Sequence, residues 1–162
     1  MAYDMRDIFA TNRAAGSVIG TVAEPGPGGT RTGTDTTSKL SISSRVFTIQ
    51  SGPTIWADPK MYYSKTYARV AGIGGLFHFN ATSFSTAVAF GLTDSNYLGL
   101  ESAPLIYIVS GEVYLTGYGM AYPKLISGLS TGTDYQFAIF HRAGKGTQTF
   151  IKIGGVWKLL FT

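Results

Sequence analysis

Short runs of alternating apolar and polar residues, each closed by glycine, proline, serine or asparagine, follow one another from Lys39 to the end of the chain. "KLSIS" alternates through Leu40 and Ile42, and "RVFTIQ" resumes the pattern until "SGP" breaks it at 51–53. "MYYSKTYARV" places Tyr62, Ser64, Thr66, Ala68 and Val70 on one side and Tyr63, Lys65, Tyr67 and Arg69 on the other, because successive side chains of a strand point to opposite faces. "GGLFHFN", "TAVAFGL", "PLIYIVS", "EVYLTGYG", "DYQFAIFHR", "TQTFIKI" and "VWKLLFT" continue the series. Roughly nine to twelve strands with turn signals between them predict an all-β sandwich or barrel. No stretch carries an apolar stripe at helical spacing with capping residues, so little or no helix is expected. The absence of a fixed repeat period argues against propellers and solenoids.

Upstream of these runs, "AGSVIGTVAEPGPGGTRTGTDTTS" is rich in glycine, proline and hydroxyls and has no helical period. It reads as an extended arm or loop at about 15–38, anchored where it runs into "KLSIS". The stretch "FHRAGKGTQTF" at 140–150 poses a choice between a phosphate loop and a hairpin. A phosphate loop needs G-x-x-x-x-G-K-[ST] opening a helix. Here Gly146 follows Lys145, Ile139 stands where the first glycine belongs, and "TQTFIKI" alternates as a strand. The segment is predicted to be a hairpin tip, and with "GG" at 154–155 it completes a three-stranded C-terminal meander. At 162 residues, the chain is expected to form a single β-sandwich domain with that N-terminal arm.

Composition narrows the chemistry. Hydrophobic residues make up 44% and charged residues 14%, so folding rests on apolar burial and turn chemistry rather than on ion pairs. The 13 basic residues against 9 acidic ones are scattered singly, and no clustered patch points to nucleic acid. Cysteine is absent, which removes disulfides, thiol nucleophiles and thiolate metal sites. No apolar run reaches the roughly 20 residues of a membrane span, and "MAYDMRDIFATNR" has no apolar signal-peptide core.

No catalytic set emerges. The acids Asp4, Asp7, Glu24, Asp35, Asp58, Asp94, Glu101, Glu112 and Asp134 do not pair at alternate positions on one strand, as flanking carboxylates of a glycosidase would. His78 and His141 sit in or at the end of apolar strands, far from a triad or a ligand set. "LTDSN" at 92–96 reads as an ordinary turn. No metal and no cofactor is implied. What stands out is aromatic residues interleaved with polar ones. Glu112, Tyr114, Thr116 and Tyr118 share one strand side, with Val113 and Leu115 on the other; Tyr63, Lys65, Tyr67 and Arg69 form a similar face, and Trp56 in "TIWADP" is a candidate for exposure beside them. Tyrosine offers a flat apolar ring with a hydroxyl at its edge, which suits stacking on sugar rings.

The string "RDIFATNRAAG", "RTGTDTTSKLSISSRVFTIQSG", "AVAFGLTDSN" and "DYQFAIFHRAGKGTQTFIKIGGVWKLLFT" resembles the concanavalin A-like (laminin G-like) jelly-roll domains of tailed-phage structural proteins and bacterial surface proteins. The resemblance implies an antiparallel two-sheet jelly-roll sandwich, located on a virion or an extracellular surface, and a role in recognition or structure rather than catalysis. The acidic catalytic strand of the family's enzymes has no counterpart here. The expected function is therefore a non-enzymatic module that binds glycans or another cell-surface polymer. Tyr114, Tyr118, Tyr63, Tyr67 and Trp56 would stack, and Lys65, Arg69 and Glu112 would orient the ligand's polar groups. One alternative is a purely structural particle protein, a decoration, spacer or fibre domain that contacts other virion subunits or further copies of itself. The other is a polysaccharide hydrolase or lyase whose acids are assembled only by the fold.

Overall fold

Twelve strands and no helix occupy the described residues, as the alternating pattern requires. In the computed structural model these residues are 7–24, 29–50, 59–63, 72–92, 104–117, 122–142, 144 and 146–162. They fall into two compact units, Met1–Thr66 and Tyr67–Thr162. All strand pairings among them are antiparallel.

The N-terminal unit contains β1 (Arg31–Thr34), β2 (Leu40–Ser43), β3 (Val46–Ile49) and β4 (Lys60–Tyr63), paired as β1–β4 and β2–β3. Leu40 and Ile42, two apart on β2, turn inward and are buried with Val18. Phe9, Ile19, Phe47 and Met61 close around them, and the rings of Phe9 and Phe47 stack at 5.2 Å. The described residues next to and within the expected arm, up to 24 and from 29 to 38, are held down by their backbone and by single side chains. Arg13 and Ile42 exchange backbone hydrogen bonds of 2.8 and 2.9 Å, the Gly16 amide donates to Leu40 O at 3.2 Å, and Val18 fills the core. Within that segment β1 lies so close to β4 that only glycine fits at 33, where a Cβ would fall 2.1 Å from Lys60 O.

A two-residue loop joins β2 to β3, and Ser44 and Arg45 both hold positive φ, 50° and 66°. That is the turn whose twist suits a hairpin, and it favours Asn-Gly. Ser44 is anchored there by its amide, which donates to Asn12 Oδ1 at 3.0 Å. Arg45 carries the cost of a left-handed conformation with no glycine to relieve it. Replacing Arg45 by glycine is expected to stabilise the unit by about 1 kcal/mol, read as a higher denaturant midpoint at unchanged slope; a lower midpoint would contradict the turn.

The C-terminal unit is a two-sheet sandwich. One sheet has the order β12 (Val156–Phe161), β11 (Gly146–Ile153), β10 (Tyr135–Arg142), β5 (Ile73–Phe79). The other is the meander β6 (Val88–Gly91), β7 (Leu105–Val109), β8 (Glu112–Leu115), β9 (Lys124–Ile126). The chain crosses from the first sheet to the second after β5 and returns after β9. At the two sides β5 approaches β6 and β12 approaches β9. Ile106, Ile108 and Val113 of one sheet meet Phe137 and Ile151 of the other, with Leu129 closing the layer. Phe77, Phe79, Phe90 and Phe137 add a ring cluster at centroid distances of 5.2 to 6.3 Å.

Both C-terminal turns fall where the sequence places them. β10 and β11 pair as a hairpin whose last partners are Arg142 and Gly146. Gly154 and Gly155, at φ 59° and 81°, join β11 to β12. Ser110 and Gly111 do the same between β7 and β8 at φ 52° and 72°. No helix among the described residues is long and apolar enough to cross a membrane.

Candidate functional site

The outer face of the β6–β9 sheet carries a row of aromatic side chains. Backbone register sets Ala89, Tyr107, Tyr114 and Lys124 side by side across all four strands. The alternation that buries Ile106, Ile108, Val113 and Leu115 leaves Tyr107, Glu112 and Tyr114 on the opposite side. The Tyr107 and Tyr114 rings lie 5.9 Å apart, and Tyr122, 38% exposed, reaches Tyr107 at 6.3 Å. Beside them Glu112 accepts hydrogen bonds from the Tyr114 hydroxyl and from Lys124 Nζ, the latter at 3.0 Å.

These contacts fix the charge state of the face. The hydrogen bond from Tyr114, and then that from Lys124, holds the Glu112 carboxyl below its ordinary range. The same contacts push the Tyr114 phenol and the Lys124 ammonium upward, each chiefly through its hydrogen bond to Glu112. Burial, and then the neighbouring Tyr122, raises Tyr107. At neutral pH the Tyr107 and Tyr114 phenols are therefore neutral beside one carboxylate, Glu112, and one ammonium, Lys124.

A second polar cluster, in the N-terminal unit, is closed. Arg31 is fully buried, and its Nε and Nη2 donate to the two oxygens of Asp7 at 2.7 and 2.8 Å, while Nη1 donates to Thr21 Oγ1 at 2.7 Å. Asp7 also accepts from the Tyr63 hydroxyl at 2.9 Å and from the amides of Phe9 and Glu24. The guanidinium lies 5.4 Å from the centroid of the Phe9 ring. Burial pushes the Asp7 carboxyl up, but the hydrogen bond from Arg31 and those from Phe9, Tyr63 and Glu24 outweigh it and hold the group low. Burial and then Asp7 drive the Tyr63 phenol far above its ordinary value. Every polar arm points inward, so the cluster is a structural clasp.

Of the residues singled out in the sequence, the structure brings Glu112 and Tyr114 together and places Tyr63 in the clasp. Tyr118, Lys65, Tyr67, Arg69 and Trp56 lie outside the described residues, as does "TDSN" at 93–96. Thr116 departs from the expected side: it is fully buried, because β8 ends at Leu115 and the Thr116 amide turns to donate to Leu105 O at 2.9 Å. Tyr107, Tyr122 and Lys124 were not singled out. Tyr107 hides in the apolar run "PLIYIVS", yet a two-residue turn at 110–111 alone requires it to face Tyr114. Lys124 and Tyr122 reach the face only through the pairing of β8 with β9. Among the described residues no cluster of three or more histidines or acids could hold a metal ion.

No protein-family model, no curated protein and no solved structure matches the chain.

Proposed function

We propose that the protein is a non-catalytic recognition module of a virion or another extracellular surface assembly, and that the tyrosine face of β6–β9 binds glycans of a cell-surface polymer. The observation that supports this reading is the joining of Tyr107, Tyr114 and Tyr122 with the Glu112–Lys124 pair on one sheet face. A sugar offers a face of C–H groups and an edge of hydroxyls. Aromatic rings take the first through dispersion and apolar burial, and edge polar groups take the second. Glu112 would accept from ligand hydroxyls, and Lys124 would donate to hydroxyls or to the carboxylates of acidic sugars. A carboxylate held low by two hydrogen bonds has no proton to give a leaving oxygen near neutral pH, which favours binding over glycoside hydrolysis. The placement on a virion or cell surface rests on the resemblance of the strand string to phage and bacterial surface domains.

Titration of the purified chain with neutral and acidic oligosaccharides tests the reading. Tyr114→Ala is expected to weaken binding about tenfold, the worth of one stacking ring, with little change in melting temperature. Tyr114→Phe should keep most of that affinity, because it keeps the ring and loses only the hydroxyl that bonds Glu112. Equal affinity in wild type and Tyr114→Ala would overturn the assignment.

A further inference from the structure

The other sheet of the same sandwich carries a band of exposed large apolar side chains across its outer face, where solvent contact predicts polar residues. Its register forms rows across the strands. One row is Leu76, Ala138, Phe150 and Leu159, from β5, β10, β11 and β12. The row on one side of it holds Gly74, Phe140 and Gln148, and the row on the other holds His78, Gln136, Lys152 and Trp157. Leu76, Phe140, Leu159 and Trp157 are 44, 49, 53 and 42% exposed. Phe140 lies flat on the sheet over Gly74, where a Cβ would fall 2.4 Å from its ring, and meets Phe150 edge-on at 5.9 Å. Lys152 stands 5.9 Å from the Trp157 ring.

We propose that this face is the contact between two copies of the chain, packed sheet on sheet about a two-fold axis that runs along the strands between β10 and β11. Such an axis puts β5 of one protomer over β12 of its partner and β10 over β11 at the same level. The apolar row then meets itself in reverse order: Leu76 faces Leu159, and the small Ala138 faces the large Phe150. The polar row is matched as well, because Lys152 meets Gln136 and not a second lysine. A face of four strands about 4.8 Å apart and strands of up to eight residues at about 3.3 Å per residue covers roughly 500 Å² in projection. With side-chain relief and its polar rim it approaches the roughly 800 Å² per partner of a standard interface, and it exceeds in continuity the scattered apolar residues of an ordinary monomer surface. The inference stands apart from the glycan reading. If both hold, the dimer presents two tyrosine faces outward, on opposite sides.

Light scattering and sedimentation of the full chain across the micromolar range test the proposal. The wild type is expected to run as a dimer. Leu159→Glu and Leu76→Lys, each at an exposed position, should separately weaken self-association by about a hundredfold or more, because each places an unpaired charge in an apolar contact. Circular dichroism and melting curves verify that both variants fold, and Tyr114→Ala, on the opposite sheet, should leave the dimer intact. The double variant Leu76→Lys/Leu159→Glu should recover dimerisation, since the two-fold sets those positions against each other across the contact while two strands separate them within a chain. A wild type that stays monomeric at every concentration overturns the proposal, as does a dimer that survives both single changes. Loss in both without recovery in the double variant overturns the two-fold arrangement.

Discussion

Asp7→Ala is expected to destabilise the N-terminal unit by about 3–5 kcal/mol, the cost of leaving a buried charge without its partner. Arg31 is fully buried and Asp7 nearly so, with 0 and 4% of their side chains exposed. Removing the carboxylate strands two guanidinium nitrogens, the Tyr63 hydroxyl and two backbone amides at once. Thr21 still accepts from Nη1, so the damage falls on the Asp7 side. Hydrogen exchange of β1 and β4 against denaturant measures the loss, and a change under about 1 kcal/mol would show that the clasp is not closed. Replacing both partners, as in Asp7→Leu/Arg31→Met, should cost much less than the single change, because no charge is left buried. The clasp also sets an acid limit. Asp7 is held below its ordinary value of 3.8, so its contribution is complete above about pH 4 and is lost as pH falls through the lower folded value. Asp7→Asn should lower stability near neutrality and flatten that acid slope.

Phe137→Ala is expected to cost the C-terminal unit about 3–5 kcal/mol. The ring is fully buried between the sheets and meets Phe79 and Phe90 edge-on at 6.3 and 5.6 Å. Its loss opens a cavity that flanking strands, tied into two ladders, cannot close. Phe140 lies three residues further along the same strand and therefore on the other face. Phe140→Ala should cost the fold under about 1 kcal/mol when measured at concentrations below self-association. Chemical denaturation of the two variants side by side checks the facing of β10. Similar losses in both would contradict it.

Several strands from Leu40 onward were legible because alternate residues turn into a core, as Leu40 and Ile42 do on β2, Ile106 and Ile108 on β7 and Phe137 and Ile139 on β10, which imposes a period of two, and because "SG" at 110–111 and "GG" at 154–155 mark two-residue turns. Those same turns fix local register, so the pairing of Tyr107 with Tyr114 was within reach of the sequence. The division into two meanders was not: the crossings after β5 and β9 join strands far apart in the chain, and alternation is silent about which sheet a strand enters. The N-terminal unit was hardest to read. Val18, Arg31 and Asp7 hold it through single buried contacts inside glycine- and threonine-rich chain, with no period to reveal them. Arg31 in "GGTRTGT" gives no sign of burial, because its reason is Asp7, twenty-four residues earlier. Trp157 is exposed on the outer face of β12, which lies at the sheet's edge.

The tyrosine face is tested most directly by proton NMR of the chain during addition of a bound oligosaccharide. Shifts are expected at the ring protons of Tyr107, Tyr114 and Tyr122 and at the amides of β7, β8 and β9, with β10 and β11 unmoved. Shifts confined to the opposite sheet, or to the N-terminal unit, would contradict the assignment of recognition to this face.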